Sequence, residues 1–270
     1  MKKYDTFLNE FKLNELQFSA FDWDDNIFFM PTKIHMEHFI SGQYKEISIT
    51  TQKFSSIRKY IHEDGKWRFK NNDASVAFFD FGDRKTFVDE VRFSLENQLF
   101  APSFNDFIKT LVNGELFAII TARTIDAAVL RAGVEIVVYE YLNDYQQQKM
   151  LENLLQFSEI FGTNPDSLIE NYLDKCDYYG VTSKEFKRKF KLSSDASNPE
   201  EAKKMALTAF VKRVKKYGKQ VDKKISVGFS DDDKANVSSI KKHFRELKKD
   251  FDYDFTVFNT SNMKMRKTKI

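Results

Sequence analysis

Cysteine is almost missing from this chain: its 270 residues include one, Cys176. A single thiol excludes an intrachain disulfide and any metal site built on clustered thiolates, and it fits a reducing, intracellular compartment. An excess of charge of one sign is lacking too. Lys and Arg number 43 against 40 Asp and Glu, and a net charge of +3 is too near neutral to imply nucleic-acid binding from bulk charge. Long hydrophobic runs are also absent. No segment offers the roughly 20 consecutive apolar residues that span a bilayer. The start, Met1-Lys2-Lys3-Tyr4-Asp5, lacks the apolar stretch of a signal peptide. No internal repeat or low-complexity tract stands out. Together these absences predict a soluble, cytoplasmic protein with no membrane partner.

What the chain does have is apolar material in short pieces. Apolar residues make up 41% and Phe alone numbers 28, enough for one large domain or for a core domain with an inserted module. Residues 16–21 and 117–120 are nearly continuous apolar runs, as expected of strands buried on both faces. Residues 225–229 alternate more, and Phe255-Thr256-Val257-Phe258 is a fourth strand candidate. Helical patterns lie between them, notably 199–217, where Pro199 suits a first turn, and 236–249. Strands alternating with helices predict a parallel sheet covered on both faces.

The spacing is uneven. Nearly a hundred residues separate the first strand from the second, far more than one crossover helix requires. Residues 31–104 therefore read as an inserted module, with strand-like pieces at 45–51 and 75–81 and a helix over 86–99. A second excess, about 129–199, is mostly helical by pattern; within it, 134–139 fits either a strand or part of a helix. The core is then 1–30 and 105–270.

Each apolar run stops at a chemically loaded turn. The first meets Asp22-Trp23-Asp24-Asp25-Asn26, the second Thr121-Ala122-Arg123, the third Asp231-Asp232-Asp233. Ligands of open α/β sheets bind outside the carboxyl ends of strands, so the three turns can converge. Carboxylates gathered there repel one another unless a cation sits among them, and clustered oxygens suit Mg²⁺. Residues two apart on extended chain point the same way, so Asp22 and Asp24 can share one reaction, one attacking and one moving a proton. A carboxylate nucleophile suits phosphoryl groups, given a cation and a lysine to neutralise the phosphate.

These turns resemble the motifs of the haloacid dehalogenase-like (HAD) superfamily of phosphohydrolases. An apolar strand ending in Asp-x-Asp-x-Asn, one ending in Thr, and one ending in Asp-Asp occur in that order, and the resemblance covers about half of the chain. It implies a Rossmann-like three-layer α/β core with a cap inserted after the first strand. It assigns Asp22 as nucleophile and metal ligand, and Asp24 as general acid/base with its backbone carbonyl on Mg²⁺. Thr121 would bind the transferring phosphoryl group, Asp231 would complete the metal site, and Asp232 would bind directly or through water. A lysine in the helix before the last strand is also implied. Lys204 matches the apolar spacing of Leu207 and Phe210, with Lys203 as the alternative. Arg123 and Asn26 are further candidates for substrate phosphate, although Arg123 equally suits pairing with an acid. An acid two residues after the nucleophile implies phosphate-ester hydrolysis. The expectation is a Mg²⁺-dependent phosphomonoester hydrolase acting on a small phosphorylated substrate. A polynucleotide end (3′-)phosphatase or a related phosphotransferase, and a non-catalytic binding or regulatory protein on the same fold, are the alternatives.

Other features read more plainly. Asp22-x-Asp24-x-Asn26 begins like an EF-hand loop, but Ile27 and Lys33 stand where Gly and Glu are needed. His35 and His38 lack a nearby third ligand and read as packing or surface residues. Ser19 has no base beside it. The Phe-rich stretch 77–83 reads as packing of the inserted module, with Asp80 or Asp83 over the active site as a minority reading. Two basic segments, 184–191 and 263–270, could bind nucleic acid through interleaved aromatics. Their simpler reading is an amphipathic helix with buried Phe residues and a disordered terminus.

Overall fold

A six-stranded sheet forms the centre of the computed structural model, which describes residues 15–61, 65–193, 198–221 and 224–270. In chain order its strands are β1 (Glu15–Phe21), β5 (Phe117–Thr121), β6 (Asp177–Gly180), β7 (Lys224–Asp231), β8 (Tyr253–Asn259) and β9 (Arg266–Lys269). Their spatial order is β6-β5-β1-β7-β8-β9, parallel except for β9 against β8. The chain leaves β1, builds β5 and β6 on one side, then returns to build β7 and β8 on the other. The order therefore reverses at β1, and such a reversal opens a crevice at the strand's carboxyl end. That is where Asp22 stands.

Between β1 and β5 a second, three-stranded antiparallel sheet, ordered β3-β2-β4, consists of β2 (Ile34–Ile40), β3 (Gln43–Ile49) and β4 (Trp67–Phe69). With it go helix α1 (Thr51–Ile57), a 3-10 turn (Arg58–Tyr60), the short α2 (Ala74–Ala77) and a 3-10 turn (Phe79–Gly82). Ile34, Met36, Ile49, Ile57, Ala77 and Phe81 form a separate small core there. Helix α3 (Arg84–Glu96) follows, and its Phe87 and Val91 belong to the main core. The independent cluster thus ends before the limit of 104 expected for the inserted module. The stretch 75–81 is helical rather than a strand: Asp73 caps α2, and clustered Phe residues gave it a strand-like composition.

The remaining helices are α4 (Phe104–Val112), α5 (Ala127–Ile136), α6 (Asp144–Leu155), α7 (Ser158–Phe161), α8 (Pro165–Leu173), α9 (Lys184–Lys189), α10 (Pro199–Val221) and α11 (Lys234–Leu247). The ambiguous run 134–139 ends α5 and enters a π-helical turn, Val137–Tyr141. Neighbouring residues of a strand face opposite ways. Phe21 packs edge-on against Phe107 of α4, with ring centroids 5.5 Å apart. The opposite face carries Asp22 and receives α10. Helices thus cover both faces of a mostly parallel sheet, compatible with a Rossmann-like α/β fold. The basic terminus is not disordered, because Arg266–Lys269 pairs with β8. No helix among the described residues is long and apolar enough to cross a membrane.

Candidate active site

The turn after β1 is fixed by the backbone before any side chain acts. Asp22 donates its N–H to the Ser230 carbonyl (3.0 Å), while Ile27 and Phe28 both donate to the Trp23 carbonyl (3.0 and 3.2 Å). Asp25 closes the turn with φ +56°, a left-handed conformation that Asp accepts better than most residues. Asn26 locks the turn in place. Its amide donates to the Asp22 carbonyl (3.0 Å) and Ser230 Oγ (2.9 Å), and its oxygen accepts from Ser103 Oγ (3.0 Å) and Thr260 Oγ1 (2.9 Å). A side-chain amide has two N–H donors and two lone pairs, so nothing is left over. Asn26 is fully buried, and the expectation that it binds phosphate is corrected: it is a tie between elements.

β7 runs in register with β1, bringing Asp231 beside Asp22. Asp22, Asp231 and Asp232 each offer a carboxylate oxygen, all within 4.8 Å of one another. Lys203 Nζ lies 2.7 Å from Asp231 Oδ2 and 3.2 Å from Asp22 Oδ1. Asp231 is further held by Asn236 Nδ2 (3.2 and 3.3 Å) and by the Asp233 N–H (2.8 Å). The lysine of the site is therefore Lys203 and not the preferred Lys204, which pairs with Glu201 on the surface at 2.6 Å. On α10 the buried stripe is Leu207, Phe210 and Val214, and Lys203 precedes them at the i+4, i+7 and i+11 spacing of one helix face. Lys204 is rotated about 100° away.

This cluster is short of positive charge. Burial pushes Asp22 up to about 8; Lys203 opposes that shift, and Asp231 and Asp24 add to it. Burial likewise raises Asp232 well above the usual carboxylate range, with Asp231 and Asp22 adding to it. Burial alone would lower Lys203, but Asp22 and Asp231 outweigh it and keep the ammonium above its ordinary value. With all three carboxyl groups ionised, one ammonium would leave two negative charges uncompensated. Asp22 Oδ1, though near Lys203, is buried and has no hydrogen-bond partner. Converging hard oxygens with an unpartnered one among them fit a small divalent cation.

On the other side of β1, Thr121 ends β5, buried, its Oγ1 accepting from the Arg123 N–H at 3.4 Å. The turn that follows lies hard against β6. A Cβ on Gly180 would stand 2.0 Å from the Ile125 carbonyl and 2.9 Å from that of Arg123, so only glycine permits the contact. Arg123 does not face outward to a substrate. Its guanidinium forks onto Asp24, Nε to Oδ2 at 2.8 Å and Nη2 to Oδ1 at 2.7 Å. Of its two expected roles, the acid pairing is the one the geometry realises. Asp24 keeps 13% of its side chain exposed while Arg123 is fully enclosed.

The remaining candidates are not members of this constellation, although the 77–83 stretch reaches it: Phe81 lies against Arg123, and Asp80 is near enough to Glu90 to act on its charge. His35 bonds Asp80 (2.8 Å) and Ser48 (3.1 Å), and His38 stacks on Trp67 at 4.0 Å. Neither belongs to a metal cluster among the described residues. Asp83 caps α3 through the Thr86 N–H at 2.6 Å. In the basic segment 184–191, Phe186 is buried and packs on Phe190 at 4.4 Å, and Glu185 accepts from the Ala127 N–H at 2.7 Å. Its aromatic rings are spent on packing. Asn236, Thr32, Glu90, Ser103 and Thr260 join the site without any sequence expectation; only Asn236, five residues after Asp231, carried a local signal. No protein-family model, curated protein or solved structure matches the chain.

Proposed function

We propose that the protein is a Mg²⁺-dependent phosphomonoester hydrolase of HAD type, working through a phosphorylated Asp22. The convergence of Asp22, Asp231 and Asp232 around Lys203, with Asp24 and Thr121 beside them, is the observation that carries this reading. Asp22, Asp231, Asp232 and the Asp24 carbonyl would hold the ion. When bound, Mg²⁺ would supply positive charge to the phosphoryl oxygens and keep Asp22 ionised. Lys203 adds charge fixed by the protein, and the Thr121 hydroxyl is a donor for a phosphoryl oxygen.

In the first step an Asp22 carboxylate oxygen bonds to phosphorus as the ester P–O bond breaks. Protonated Asp24 gives its proton to the departing oxygen, and the alcohol leaves. In the second step water attacks the phosphorus of the aspartyl phosphate and Asp24 takes the water's proton. The bond to Asp22 breaks, releasing inorganic phosphate and restoring both carboxyl groups. The β2–β4 module then acts as a cap. Beside Asp232 a cleft of about 740 Å³ is bounded by Gln52, Ser55 and Arg58 from the module and by Lys234 and Ser261 from the core. Phe29 and Met263 also line it, so its walls are mixed and suit a leaving group with both polar and apolar parts.

The test is a phosphate-release screen over sugar phosphates, nucleotides, phosphoamino acids and 3′- and 5′-phosphorylated oligonucleotides. Turnover of at least one class with Mg²⁺, lost on chelation and in Asp22→Asn, is expected. A folded protein inert to the whole panel would return the chain to the class of binding proteins. Preference for 3′-phosphorylated oligonucleotides would identify a polynucleotide end phosphatase.

A further inference from the structure

Arg123 leaves the end of β5, yet most of what holds its guanidinium comes from the chain between β1 and β5. Nη2, besides its bond to Asp24, donates to Thr32 Oγ1 at 2.6 Å. Thr32 is hydrogen-bonded in turn to Glu90, whose carboxylate stands 3.9 Å from the same nitrogen. Phe81 and Phe87 lie against the cation, their ring centroids 4.9 and 5.0 Å from Cζ. None of these four supports lies on the strands of the main sheet. An arginine keeps its charge at all working pH values and presents a rigid planar fork. A carboxylate gripped by that fork on both oxygens is fixed in plane and direction, and it retains two of its four lone pairs for proton exchange.

We propose that Arg123 is the positioning residue for Asp24, and that Thr32, Phe81, Phe87 and Glu90 fix Arg123, so that the inserted chain sets the aim of the proton-transferring group. This rests on the hydrolase reading given above. The Arg123 guanidinium bonds Asp24 and the inserted chain, with Nη1 left without a hydrogen-bond partner, and its effect on the reaction passes through Asp24. The backbone N–H that donates to Thr121 Oγ1 is kept in any substitution.

The experiment separates proton transfer from general damage by varying the leaving group. A nitrophenolate departs without a proton, whereas an aliphatic alkoxide needs one. The kcat/KM for p-nitrophenyl phosphate and for an aliphatic phosphate monoester is measured in wild type, Arg123→Lys, Thr32→Val, Asp24→Asn and Arg123→Lys/Asp24→Asn. Arg123→Lys keeps the charge and loses the fork. It should lose about tenfold or more on the aliphatic ester beyond its loss on the nitrophenyl ester, within the roughly 10²–10⁴-fold that a general acid contributes. Thr32→Val, which leaves the Arg123–Asp24 fork in place, should show the same bias at a few-fold. In the Asp24→Asn background, Arg123→Lys should add no further bias. Equal losses on both esters, or losses that add in the double variant, would overturn the positioning role. If Arg123→Lys does not fold, Thr32→Val decides by the same criterion. The aliphatic ester is drawn from the class turned over in the phosphate-release screen. Wild-type protein inert to that whole screen and to p-nitrophenyl phosphate removes the hydrolase reading itself, and the inference with it.

Discussion

At the scale of single residues, Lys203 and Lys204 show how one position on a helix separates a site from its surface. Lys203→Met removes the ammonium held between two buried carboxylates, and breaking such a pair costs about 3–5 kcal/mol. Lys204→Met removes an exposed pair and should stay within about 0.5 kcal/mol. Urea unfolding of both in Mg²⁺-free buffer tests the assignment, and the reverse order would restore Lys204. The acidic positions were legible in the sequence because each follows directly on an apolar run. The lysine was not, since adjacent lysines differ only in the phase of the helix. Burial also sets a pH dependence. Asp22 rises from 3.8 to about 8 and Asp25 to about 6. Between about pH 4 and 8 the folded protein thus holds protons that the unfolded chain has released. Stability without a divalent ion falls as pH rises through that window, then levels off. Mg²⁺ would displace the Asp22 proton, so the increase in Tm on adding it should be larger at pH 8 than at pH 5. An equal increase at both values would place the ion elsewhere.

Asn26 acts at the scale of elements. Through four hydrogen bonds it ties the turn after β1 to the end of β7, the start of α4 and the end of β8. Leaving several buried groups unsatisfied costs roughly 1–3 kcal/mol each. Asn26→Ala should therefore lower stability by about 3 kcal/mol or more in equilibrium unfolding. A variant of unchanged stability with a raised KM would instead make Asn26 a phosphate ligand. The strands β1, β5, β7 and β8 were legible as apolar runs bounded by polar turns. β6 was not: four residues, Asp-Tyr-Tyr-Gly, give too short a pattern to stand out from the helical stretch around them. β9 was hidden because Arg266–Lys269 has the composition of a solvated tail and owes its order to pairing with β8. The tie through Asn26 was invisible for another reason: Ser103 and Thr260 lie 77 and 234 residues away along the chain.

On the scale of the whole molecule, two of the contacts between the inserted chain and the main sheet's turns fall beside groups of the proposed mechanism. Arg58, in the turn after α1, pairs with Asp233 at 2.6 Å next to Asp232, and Phe81 joins the residues around Arg123 next to Asp24. An exposed pair such as Arg58–Asp233 contributes under about 1 kcal/mol, whereas the contacts around Arg123 are enclosed. The presence of further structure between β1 and β5 was legible from length alone, because a hundred residues exceed any single crossover. Its meeting with Asp24 was not, because it depends on contacts between residues far apart in sequence. What unites these features is one claim, that Asp22 takes up a phosphoryl group at the carboxyl end of β1. The most direct measurement is acid quenching of the protein during turnover of a phosphate monoester with Mg²⁺, followed by peptide mapping. The account predicts a phosphoryl group on Asp22, labile to hydroxylamine and absent from Asp22→Asn. Phosphate release with the label on another side chain, or with Asp22→Asn as active as wild type, would contradict it.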